Sequence, residues 1–173
     1  VQIMASKRKI QSVLTGYIGE CYVAYELAKR GIFTQRMDQQ NFDYDFITDS
    51  GIKIEVKSAK PLDCWNGKHT GKSLGWGWNN TKNGYEYKNG VYHSINIPTD
   101  RNCDFFILIG MDDNWKTKKV FIVPKDVIGK KRFFREPVDR KKKNTYAKFH
   151  LSDYENKWEL ITLPALKRNE YNK

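Results

Sequence analysis

The sequence predicts a single mixed α/β domain: an N-terminal amphipathic helix, a central mixed β-sheet and one or two later helices. Three stretches carry that expectation. Apolar residues recur at helical spacing across 6–30. The segment 41–60, NFDYDFITDSGIKIEVKSAK, reads as two strands joined by a tight turn. Residues 103–110, CDFFILIG, form the most hydrophobic run in the chain and have the character of a buried strand. At 173 residues the chain can bury a substantial core in one domain, 1–173.

The helix comes first. Ile10, Val13, Leu14, Tyr17, Ile18, Cys21, Tyr25 and Ala28 make an apolar stripe. Lys29 and Arg30 suit the negative end of the helix dipole, and Gly31 is a C-terminal stop. Glu20 lies near the stripe, beside Tyr17 and Cys21; by itself it reads as a surface glutamate on a helix edge. Residues 32–35 form a short bridge or strand leading to a polar segment, 36–41.

The hairpin carries the chemistry. Asp49-Ser50-Gly51 fits a three-residue loop whose last position is left-handed, a conformation glycine adopts without strain. Facing Thr48 with Ile52 sets Phe46 opposite Ile54 and Asp45 opposite Glu55. Opposed side chains in such a ladder are about 4.5–5.5 Å apart at Cβ. Alternation sends Ile52, Ile54 and Val56 to one face, and Glu55, Lys57, Asp45 and Asp43 to the other. Two or three carboxylates with one lysine repel each other unless a cation offsets them, and Mg2+ takes one or two carboxylates together with water and phosphate oxygens. The bland alternative is an exposed hairpin with solvated charges, Lys57 being paired to Asp43 or Glu55.

Asp45, nine intervening residues and then Glu55-Val56-Lys57 resembles the core motif of the PD-(D/E)xK nuclease superfamily. Tyr44 stands where that motif often has proline. The helix segment TGYIGEC…AYELAKRG is also similar to the glutamate-bearing helix that precedes the hairpin in such enzymes. The resemblance covers about residues 15–128. It implies a restriction-endonuclease-like core and hydrolysis of DNA phosphodiesters, with Mg2+ as cofactor and Mn2+ able to substitute. It further implies that Asp45, Glu55, Glu20 and the Val56 carbonyl hold the metal. Lys57 would position or deprotonate the attacking water, and Asp43 would support Asp45.

Beyond the hairpin the chain turns irregular. Residues 61–100 hold six glycines, Trp65, Trp76 and Trp78, and scattered lysines including Lys68 and Lys72. Aromatics interleaved with Lys and Gly suit a loop that stacks on bases and contacts phosphates. The other reading is a β-rich excursion whose aromatics pack on the core. Residues 92–97 read as a strand ending at Pro98. A polar turn at 111–118 leads to a strand at 119–123, and Pro124 opens a short helical turn. A last strand and helix are expected around 149–160.

Charge names the partner class. The net charge of +11 points to a polyanion, with nucleic acid foremost. Ten basic against three acidic residues fall between Lys125 and Lys148, including Lys130, Lys131 and Arg132, then Arg140, Lys141, Lys142 and Lys143. Those clusters, with Lys68, Lys72, Trp76 and Trp78, are the expected contacts to double-stranded DNA. Cys21, Cys64 and Cys103 are odd in number and widely spaced, which argues against a disulfide framework and for a reducing cytoplasm. Cys64 and His69 lack further ligands at zinc spacing. There is no phosphate-cradling glycine loop, no nucleophile paired with His69, His93 or His150, and no apolar run of membrane length. Within the nuclease class the sequence favours a sequence-specific restriction or homing enzyme. A Holliday-junction resolvase, a non-catalytic basic DNA-binding module and an RNA nuclease remain alternatives. Cutting both strands requires a homodimer or homotetramer, because one chain supplies one site.

Overall fold

The structure is a computed structural model that describes residues 2–37, 44–65, 70–77, 87–88, 91–92, 102–128, 133–137 and 150–164. Helix α1 spans Gln2–Lys29. Its end is fixed by the pair of bonds expected of a glycine stop. The Ile32 amide donates to the Leu27 carbonyl and the Gly31 amide to that of Ala28, both at 3.0 Å, with Gly31 at φ 76°. Leu27 and Ile32 meet in the core just inside that stop.

Five strands follow as one mixed sheet: β1 (Thr34–Arg36), β2 (Phe46–Thr48), β3 (Lys53–Ala59), β8 (Phe105–Met111) and β9 (Thr117–Pro124), side by side in that order. Only the β3–β8 pairing is parallel. The β2–β3 hairpin has the expected register, Phe46 opposite Ile54. Gly51 sits at φ 81° and its amide donates to the Thr48 carbonyl at 2.9 Å, while the Thr48 hydroxyl accepts the Ile52 amide at 2.9 Å. Asp104 joins β3 to β8. Its carboxylate accepts the Lys53 amide and its own amide donates to the Lys53 carbonyl, each at 2.8 Å. The α/β expectation therefore holds, with helix α2 (Lys125–Ile128), a 3-10 turn at Leu151–Tyr154 and a helical segment at 159–164 completing the described chain.

The sheet is covered on both faces. On one, Val23 and Leu27 of α1 meet Ile54, Val56, Ile107, Ile109, Ile122, Trp158 and Ile161. On the other, Leu74 and Trp76 meet Ala59, Phe106, Leu108, Phe121 and Val123. The second cover decides between the two readings of the segment after the hairpin: over the described residues it is the β-rich excursion packed on the core, not the loop. Strands β4 (Leu62–Trp65) and β5 (Thr70–Gly77) pair with the distant β10 (Phe133–Pro137) as a three-stranded sheet, while β6 (Tyr87–Lys88) and β7 (Val91–Tyr92) form a separate small ribbon. Trp76, expected to stack on nucleic acid, is 1% exposed. Its indole N–H donates to the Ile109 carbonyl at 3.0 Å, and its ring meets Phe121 edge-on at 5.7 Å. It is a core residue.

Helix α1 holds a second correction. Thr15, Gly19, Val23 and Leu27 face the body of the protein. Most of the stripe picked out by periodicity lies on the other side, where Ile10, Val13, Leu14, Tyr17, Cys21, Tyr25 and Ala28 are exposed, while Ile18 of that stripe packs against the core. At Gly19 the helix comes so close to β3 that a Cβ would overlap Ser58 Oγ and lie 3.0 Å from Ser58 Cβ. That hydroxyl is buried with no hydrogen-bond partner.

This contact generates a stability prediction. Gly19→Ala should lower the unfolding free energy by about 1–3 kcal/mol, the usual cost of overpacking. Ser58→Ala alone should be neutral or stabilising, since it removes an unsatisfied buried hydroxyl. In the Ser58→Ala background the Gly19→Ala cost should shrink, and urea titrations of the four proteins measure that coupling. Equal costs in both backgrounds would mean the helix is not held against Ser58.

Candidate active site

The hairpin places its charged residues as its register demands. Asp45 lies one residue before the Phe46–Ile54 pair that begins the β2 ladder, and its amide donates to the Ile54 carbonyl at 2.9 Å. Its carboxylate reaches across to accept the Val56 amide at 2.7 Å. This bond fixes Asp45 beside the backbone that joins Glu55 to Val56. Glu55 is 3% exposed, a depth at which a carboxylate needs a charged partner, and its Oε1 is ion-paired with Lys57 Nζ. Lys57 keeps part of its side chain open to solvent, so the pair sits at the edge of the buried layer. Asp45, Glu55 and Lys57 are thus gathered on one hairpin.

Glu20 approaches from α1. Its Oε2 lies 2.6 Å from Nη2 of Arg36 on β1, and the same guanidinium lies 5.3 Å from the Tyr17 ring centroid. Burial pushes the Glu20 carboxyl above the usual glutamate range, and the negative charge of Asp45 adds to that shift. Arg36 and, more weakly, Lys57 oppose it. Glu20 is therefore within electrostatic reach of both Asp45 and Lys57 while held by a cation of its own. Arg36 had no part in the sequence reading; what would have flagged it is its place on a strand beside a helix that bears a part-buried acid.

Donor chemistry bears on whether a metal could bind. Among the described residues no three His, Cys, Asp or Glu side chains are drawn into a metal-binding cluster. The carboxylates are instead engaged by Lys57, Arg36 and the Val56 amide. Asp45 and Glu55 nevertheless supply hard oxygens from adjacent strands, with the Val56 carbonyl next in the chain, and one or two carboxylates are what Mg2+ ordinarily takes from a protein. The residues present fit such an ion. Lys118, 3.4 Å from Asp112 on the turn before β9, belongs to a separate surface pair.

The remaining expected contacts divide in two. Lys72 lies on β5, and Trp76 is in the core. Asp43, Lys68, Trp78, Lys130, Lys131, Arg132, Arg140, Lys141, Lys142 and Lys143 lie outside the residues whose placement the structure describes. No helix among the described residues is long and apolar enough to cross a membrane.

Comparison with known proteins returns a likeness of fold. No protein-family model matches the sequence, and no curated protein matches it either. Among solved structures the chain is similar to a bacterial homing endonuclease, I-Ssp6803I, with a TM-score of 0.56. The two are 16% identical, and the match covers 92% of this chain and 97% of the other. At that identity the likeness is one of architecture: a helix packed on a mixed sheet, with the further strands arranged around it.

The displaced titration of Glu20 generates a pH prediction. Because its folded pKa is raised, the native state binds a proton before the unfolded state does as pH falls. Its contribution to stability therefore grows as pH drops through the raised value, is complete below the ordinary glutamate value of 4.5, and is lost as pH rises. In metal-free buffer, wild type should gain stability relative to Glu20→Gln between pH 7 and 4.5 in urea titrations. A constant difference would mean that Glu20 titrates normally.

Proposed function

We propose that this chain is a metal-dependent endonuclease acting on double-stranded DNA, of the sequence-specific homing or restriction type. The observation that carries the reading is the hairpin constellation. Asp45 is anchored on the Val56 amide, Glu55 is buried against Lys57, and all three lie on two adjacent strands. An acid pair with a lysine on one hairpin is what phosphodiester hydrolysis needs: anions to hold a divalent cation, and a cation near the attacking water. The fold shared with a homing endonuclease and the net charge of +11 agree with a DNA substrate.

In this reading Asp45 and Glu55 hold Mg2+, with the Val56 carbonyl and Glu20 as auxiliary ligands, and Mn2+ can take its place. When bound, the ion supplies positive charge against the scissile phosphate and a more acidic water. The chain's own groups do the rest. Lys57 exchanges its partner Glu55 for the incoming phosphate and water, orients the water for in-line attack, and stabilises the charge that builds on phosphorus. The water oxygen bonds to phosphorus as the bond to the 3′ oxygen breaks; the attacking water gives up a proton to solvent, and the departing 3′ oxygen takes one from solvent. The products are a 5′-phosphate and a 3′-hydroxyl. The basic segment 125–148 would supply phosphate contacts that position the duplex.

The test is cleavage of a large, sequence-rich supercoiled DNA with Mg2+, run beside EDTA. Discrete fragments are expected with wild type and none with EDTA. Asp45→Ala, Glu55→Ala and Lys57→Ala should each slow cutting by at least about 100-fold. The two acid variants should bind DNA as well as wild type or better, since each removes a negative charge from a phosphate-binding surface. Near wild-type cutting by Glu55→Ala would sink the assignment. Preferential cutting of four-way junctions over linear duplex would move it to junction resolution.

A further inference from the structure

Helix α1 shows the protein two apolar faces, and only one is used. The inner face packs through Thr15, Gly19, Val23 and Leu27. The outer face carries Ile10, Val13, Leu14, Tyr17, Cys21, Tyr25 and Ala28 over five turns and not one charged residue, in a chain that is 29% charged. Ile10 is 62% exposed, Val13 67%, Tyr17 51% and Tyr25 60%. All side chains from 10 to 14 are exposed, so this length of helix lies beyond the support of the sheet. A helical stretch with no packed face is marginal in water.

We propose that this outer face of α1 is the interface through which two copies of the chain associate. The spacing itself selects a helix as occupant. Ile10, Leu14, Tyr17, Cys21 and Ala28 follow one another at steps of four, three, four and seven, the repeat that keeps an apolar seam facing a second helix, while Ala24 between them is partly buried against the core. A second copy offers the same seam, and a two-fold axis brings like to like without any further feature. The small side chains of Cys21 and Ala28 allow close approach at one end, while the larger ones fill the other.

Area agrees. A half-exposed tyrosine leaves about 100 Å² of surface, and with the three aliphatic residues the seam reaches on the order of 400 Å² per chain. Two copies together give roughly 800 Å² of apolar side chain, near the roughly 1,000 Å² of total surface expected of a specific contact. No charged side chain stands among the seam residues themselves; the nearest cations flank it, Lys29 over the Tyr25 ring and Arg36, held by Glu20, over the Tyr17 ring. A membrane-surface helix needs a charged face opposite its apolar one, and here that opposite face is packed against the core from Thr15 to Leu27. The inference goes beyond the nuclease reading and does not depend on it.

The experiment is sedimentation equilibrium of the full chain without DNA, with wild type beside a Val13→Glu/Tyr17→Glu variant. Both substituted residues are more than half exposed, so the fold should survive, and circular dichroism verifies that. Wild type should sediment at a multiple of 20.4 kDa, and the variant at a lower multiple. Cys21 adds a second readout. In a Cys64→Ser background, where Cys103 is buried, a short bis-maleimide should link two chains, and Cys21→Ser should abolish the link. Three results would overturn the proposal: a monomeric wild type at tens of micromolar, an assembly unchanged in the variant, or a monomer that binds anionic vesicles through this helix.

Discussion

The register of the β2–β3 hairpin is the constraint on which the rest depends. Side chains alternate along a strand, so a slip of one residue would exchange every inward and outward position of β3. Ile54 and Val56 would leave the core they share with α1, and the charges of Glu55 and Lys57 would enter it. Three local bonds prevent that slip. Gly51 closes the turn in a backbone region that other residues enter at a cost, Thr48 caps it, and Asp45 ties the far end to Val56. The last bond is notable because it makes a candidate site residue part of the register lock. Asp104 then sets β8 in parallel alongside, which completes the central three strands.

What could be read from the sequence followed the distance over which the interactions act. The hairpin was legible because its determinants are neighbours: the Asp49-Ser50-Gly51 turn, the alternation and the facing acids. The β8 run was legible because a strand buried on both faces has to be apolar throughout. The three-stranded sheet was not legible, because β5 is completed by β10, some sixty residues later, and its glycines resemble loop punctuation. Trp76 misled for a related reason. In a Gly- and Lys-rich segment its ring looks like a base-stacking platform, and only the position of β5 over Phe121 and Ile109 makes it core.

The charges around the site form a set of provisional pairs. Glu55 is held by Lys57, Glu20 by Arg36, and Asp45 by a backbone amide. Each pairing offsets part of the cost of gathering carboxylates, and the Glu20 carboxyl stays raised chiefly because it is buried, with the charge of Asp45 adding to the shift. On the proposed reading an added cation would relieve that second contribution. Under the proposed function, Lys57 and Arg36 are then released toward a polyanionic substrate. Removing either cation takes one partner from a carboxylate that is buried, Glu55, or half-buried, Glu20, so the same residues serve folding and the proposed chemistry.

Helix α1 draws these threads together because each of its faces has a different task. The inner face is built from small and slender residues, and Gly19 in particular lets the helix settle onto Ser58 of β3. That close approach is what brings Glu20, the next residue, within reach of the hairpin's charges; a bulkier side chain at 19 would hold it away. Periodicity could not tell the faces apart, because the outer stripe is the more hydrophobic of the two and the inner one relies on fit rather than on apolar mass. The helix edge that bears Glu20 therefore lies between a face fixed to the sheet and a face open to a partner. Under the proposed association, a contact that seats the outer face would also steady Tyr17 and Glu20, and through them Arg36. One helix would then carry both the contact and part of the electrostatics of the hairpin.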